Sequence, residues 1–127
     1  MLDIDIRTIP HNTQRYSTTG DYWDEGEREI IRVSAMKEWR YEFLVGIHEL
    51  IEKALLKHRG VPISAIDEFD MSHEDSPDPG DEPDAPYKRE HCFATGVERI
   101  LAAELGVNWS DYEDEIDGLY AERPTEQ

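Results

Sequence analysis

Cysteine is nearly absent: Cys92 is the only one in 127 residues. An intramolecular disulfide is therefore excluded, and a reducing compartment is the expectation. Long apolar runs are missing too, and no stretch approaches the roughly 18 residues that a membrane helix requires. The first residues, MLDIDIRTIP, carry no cationic region followed by an apolar run, so no secretory signal is visible and a cytoplasmic location is expected. Positive charge is scarce, with 13 Lys and Arg against 30 Asp and Glu, for a net charge of -17. Such a field disfavours nucleic acid and anionic membranes as partners. No basic patch, P-loop, G-x-G-x-x-G or G-x-S-x-G is present. What the charge suits is a hard cation or a basic protein partner, beside the plainer reading of a soluble acidic protein.

The length is that of a single domain with a real core. Hydrophobic residues make up 38% and charged residues 34%, a polar composition that is not disordered throughout. Residues 2–9, LDIDIRTI, alternate apolar and polar with period two and predict a half-buried strand. Residues 11–27 predict a loop or hairpin arm, and EIIRVSAM at 29–36 a second strand, with Ile31 and Val33 on one face, able to pair with the first as an antiparallel ribbon.

From Glu38 to His58 the period becomes helical. Phe43, Ile47, Leu50 and Ala54 form one row and Leu44, Ile51 and Leu55 an adjacent one, with Gly60 as the stop. Ser64 is placed to cap a short helix. Residues 72–86, SHEDSPDPGDEPDAP, predict an acidic, proline-rich solvated loop within a domain spanning 1–121. Helical periodicity returns from Tyr87 to Leu105, a short helix is plausible over 110–120, and 122–127 predict a flexible tail. The expected fold is α+β, a short antiparallel β element with two main helices packed on it and on each other.

Two helices carry polar residues where apolar ones belong. Tyr87, His91, Ala94, Glu98, Leu101 and Leu105 recur at offsets of three and four, so they share one stripe with His91 and Glu98 in its middle. His48 and Glu52 are one turn apart on the earlier helix, flanked by Leu44, Ile51 and Leu55, with Glu49 about 100° round from His48. Buried imidazole and carboxylate groups need partners, either each other or a shared metal ion. For a shared ion the imidazole nitrogens of His48 and His91 must lie roughly 3 to 4 Å apart.

The stretch GIHELIEKAL, residues 46–55, resembles the active-site helix of the zincin metallopeptidases, whose signature is H-E-x-x-H. Glu52 stands where that signature has its second histidine. The resemblance implies His48 and Glu52 as ligands of a divalent metal and Glu49 as general base on a bound water. A third ligand from a downstream helix would be His91 or Glu98; the set expected is His48, Glu52 and His91, with Glu98 as a fourth ligand or as the acceptor that orients a ligand histidine. A carboxylate at position 52 makes the site harder than that of a zinc peptidase and raises the case for manganese or iron over zinc. The whole chain also resembles small uncharacterised proteins of bacteriophage genomes.

The expectation is a small zincin-like metal-binding protein, a candidate hydrolase of peptide or amide bonds. One rival is a non-enzymatic acidic protein, phage-related, that binds a basic partner. A lesser one is a magnesium-dependent nucleotide pyrophosphohydrolase using Glu49 and Glu52 with Glu98 or Glu104. Oligomeric state is open.

Overall fold

The computed structural model describes residues 1–121, so the expected tail at 122–127 lies outside the described residues. Three strands form one sheet: β1 (Ile4–Ile9), β2 (Gly20–Glu25) and β3 (Arg28–Ser34), in the order β1-β3-β2. Ile31 at the centre of β3 lies opposite Ile6 on one side and Tyr22 on the other. β2 and β3 are a hairpin closed by two residues, the first of which, Gly26, has φ 64°. This corrects the expected antiparallel ribbon. The antiparallel partner of β3 is β2, drawn from the segment predicted as loop or hairpin arm, and β1 is left to pair in parallel along the other edge of β3. As the central strand, β3 buries Ile30 as well as Ile31 and Val33, so both of its faces are covered.

Four α-helices follow: α1 (Trp39–Arg59), α2 (Ile63–Ser72), α3 (Lys88–Glu104) and α4 (Trp109–Ala121). The architecture is α+β, with a mixed sheet, the expected main pair α1 and α3, and α2 and α4 where the short joining helix and the short helix over 110–120 were expected. α1 ends where expected, at Gly60 with φ 74°, whose N–H caps the Leu56 and Lys57 carbonyls. Ser64 is not a cap. It lies inside α2, which begins after Pro62 with no capping side chain.

The buried face of α1 also differs from the apolar rows predicted for it. Tyr41, Leu44, Val45, His48, Glu52 and Leu56 face inward, whereas Phe43 and Ala54 are exposed. Trp39, at the start of α1, is 64% exposed. The true inward face carries His48, Glu52 and Lys53 among its apolar residues, so a purely apolar criterion ranks it below its neighbour.

α1 packs against β2 and β3 on one side and α3 on the other. Tyr22, Ile31 and Val33 of the sheet, Leu44 and Leu56 of α1, and Tyr112 of α4 share one core. Burying side chains the size of Leu44 and Leu56 contributes roughly 1.5–3 kcal/mol each. A buried lysine ties α1 to the sheet: Lys53 donates to Glu29 at 2.8 Å and Asp24 at 2.7 Å. Among the described residues no helix is long and apolar enough to cross a membrane.

Candidate metal centre

His48 and Glu52 sit one turn apart on the inward face of α1, and His91 and Glu98 lie on the facing stripe of α3. All four are less than a tenth exposed. Three atoms from them converge. His48 Nε2 lies 3.1 Å from His91 Nδ1, and Glu52 Oε2 lies 3.2 Å from the first and 3.0 Å from the second. The two imidazoles thus meet the separation that a shared ion requires. For metal–ligand bonds of about 2.1 Å, adjacent donors lie about 3.0 Å apart in an octahedron and about 3.4 Å apart in a tetrahedron. The observed triangle falls between these limits. His48, Glu52 and His91 form a group that could hold a metal ion, and Asp78, Asp81 and His91 form another.

The far side of each imidazole is already committed. His48 Nδ1 donates to Glu98 Oε1 at 2.7 Å, and Glu98 also accepts from the Tyr112 hydroxyl. His91 Nε2 donates to Asp78 Oδ2 at 3.1 Å, with Asp81 at 3.7 Å. A carboxylate can only accept, so when the rings are neutral with a proton on each far nitrogen, His48 Nε2 and His91 Nδ1 turn lone pairs toward Glu52 Oε2. Those lone pairs and Glu52 Oε2 are three acceptors facing one another with no side-chain donor between them. Extra protons on the rings or a metal ion would satisfy all three.

Without metal, protons take the role. Burial opposes charge on both rings, but hydrogen bonds to Glu52 and Glu98 outweigh it and hold His48 well above the ordinary histidine range. The same contest, won by Asp78 and Glu52, pushes His91 up to about 10. Burial also opposes the charge on Glu52, yet the two imidazoles hold it down at about 2.

Glu49 is not a member of this triangle. It borders a cavity of about 860 Å³, together with His48, Glu52, His91 and Glu98. Burial and the nearby Glu52 charge raise it well above the usual carboxylate range. Its side chain packs across the start of β2, and a Cβ at Gly20 would lie 2.6 Å from Glu49 Cγ, so only glycine leaves that space.

Several site residues were not recognised in the sequence. The acidic loop over 72–86, expected to be solvated, is folded back onto α3. Its turn Pro79–Asp81 buries Gly80 so closely that a Cβ there would stand 2.5 Å from the His91 ring. The Pro79-Gly80 pair is the signal that could have marked this turn. Tyr22 donates to the other oxygen of Glu52, Oε1, at 2.7 Å. Asp70, raised by burial to about 6, accepts from Tyr16 and Tyr87 at the cavity wall. Glu104 and Cys92 are exposed on α3 and do not join the cluster. His11 bonds Ser34, and His73 stacks on Phe69, both away from it.

No protein-family model, curated protein or solved structure matches this chain.

Proposed function

We propose that this chain is a metal-dependent hydrolase of peptide or amide bonds, with one divalent cation held by His48, Glu52 and His91. The observation that carries this reading is the triangle of three mutually facing acceptors, each imidazole anchored from behind by a carboxylate. Two histidines and one carboxylate are a set used for catalytic zinc and for non-haem iron, and both uses leave coordination positions open. Bound there, the cation would acidify a water and polarise a substrate carbonyl.

The chain's own residues divide the remaining work. Glu98 and Asp78 fix the ring tautomers. Glu49, beside His48 in sequence and on the same cavity, would take the proton of the attacking water, as its position in HELIE implies, once a bound cation offsets the burial and the Glu52 charge that raise it. The cavity gives a substrate chain access to that carboxylate. Its wall is strongly acidic, and Arg99 is its only lysine or arginine among the described residues.

The test is turnover of a mixed peptide pool by natively purified protein, read by mass spectrometry. Cleavage that depends on metal and is lost in Glu49→Gln, with metal retained, supports the reading. Cleavage unchanged in Glu49→Gln overturns the base. A second reading, an acidic protein that captures a basic partner, is favoured by the exposed Asp111, Glu113, Asp114 and Asp117 of α4. Salt-sensitive capture that survives His48→Ala, without any cleavage, would select it.

A further inference from the structure

The two oxygens of Glu52 are treated differently by the fold. Oε2 faces His48 Nε2 and His91 Nδ1, at 3.2 and 3.0 Å, inside the acceptor triangle. Oε1 points away and accepts from the Tyr22 hydroxyl at 2.7 Å. Tyr22 is held firmly: it is 4% exposed, in the middle of β2, opposite Ile31 of the central strand, and part of the core. Its hydroxyl therefore has a fixed place, set by the sheet and not by the helix that carries Glu52.

From this geometry we infer that Tyr22 is a positioning residue that restricts Glu52 to single-oxygen ligation, so that coordination positions stay open for water and substrate. A carboxylate readily binds one cation through both oxygens. Doing so here would require Oε1 to swing toward the cation and abandon a buried hydroxyl donor, which would then be left without a partner. The Tyr22–Glu52 bond opposes that rotation. Without it, the second oxygen fills a position that a metal-bound water needs.

This inference rests on the proposed His48–Glu52–His91 centre, and its test separates the two. The probe is cobalt(II), added to metal-free protein, read by visible absorption and by X-ray absorption at the metal edge. In the natural sequence we expect one bound cobalt, a relatively intense low-coordinate spectrum and a carboxylate bound through one oxygen. In Tyr22→Phe, which keeps the ring and the core, cobalt should still bind, with a loss of absorption intensity and a carboxylate now bound through both oxygens. In Tyr22→Phe combined with Glu52→Gln, only one oxygen donor remains at position 52, and the low-coordinate spectrum should return. No cobalt binding to the natural protein would overturn the centre itself. Binding with a two-oxygen carboxylate already present in the natural protein would overturn the role of Tyr22 alone, and that measurement needs no variant. An unchanged spectrum in a folded, cobalt-loaded Tyr22→Phe protein would also overturn it.

Discussion

If a metal ion replaces protons between His48 and His91, its binding must expel those protons, and the ring contacts give an expected number. Each ring keeps the hydrogen it donates to Glu98 or Asp78 and loses the one on the facing nitrogen. Glu52, held at about 2, has none to lose. With His48 held well above the ordinary range and His91 pushed up to about 10, both imidazoles are expected to carry charge near neutral pH in the metal-free protein, so two protons should leave on metal binding. Apparent metal affinity should then rise about 100-fold per pH unit, or about 2.7 kcal/mol.

The metal-free protein should behave in the opposite sense. A histidine raised on folding contributes stability that is complete below its unfolded pKa of about 6.5 and is lost as pH rises through the folded value, about 10 for His91. Unfolding of 127 residues has an entropy of about 0.27 kcal/mol/K. At a fixed excess of zinc, the metal-induced rise in melting temperature should thus grow by about 10 °C per pH unit. Calorimetric titration in buffers of different ionisation enthalpy counts the protons, and thermal melts at pH 6, 7 and 8 give the slope. Release of fewer than one proton, or a zinc-induced shift that does not change with pH, would refute the displacement argument.

Other outcomes follow from the same contacts. Glu98→Gln should keep the fold but weaken metal binding about 10- to 100-fold, because His48 loses its anionic anchor; competition with a chelator of known affinity measures this. Gly80→Ala forces a Cβ to within 2.5 Å of the His91 ring. It should lift the Pro79–Asp81 turn, increase proteolytic nicking within residues 72–86 and cost about tenfold in metal affinity as Asp78 leaves His91. Lys53→Met strands Glu29, which is 5% exposed and keeps only Lys57 at 3.4 Å, so stability in denaturant should drop by about 3 kcal/mol with metal stoichiometry unchanged.

Much of the helical half was legible in the sequence. The α3 stripe through Tyr87, His91, Ala94 and Glu98 is buried as its spacing implied, and His48 and Glu52 face it from α1. The signal was the interruption of apolar periodicity by groups too polar to be buried alone. The same interruption hid the inward face of α1, since a row containing His48, Glu52 and Lys53 looks wet until its partners are known.

The sheet was less legible. The Gly20–Glu25 strand, GDYWDE, carries three acids in six residues with no period-two alternation, and the buried Asp21 is paired with Arg15 at 2.7 Å. Parallel pairing of β1 with β3 follows from the hairpin taking the other edge of β3, which no local pattern encodes. The roles of Asp78, Gly80 and Tyr22 are long-range as well. Each touches a residue at least 11 positions away, and composition alone marks an acidic loop and a tyrosine.

The most direct test of the metal centre is elemental analysis of protein purified without chelators, alongside His48→Ala and His91→Ala. One divalent cation per chain in the natural protein, lost from both variants while their circular dichroism stays native, is the expected result. A natural protein that carries no stoichiometric metal, and takes up none on titration with zinc, manganese or iron(II), would contradict it.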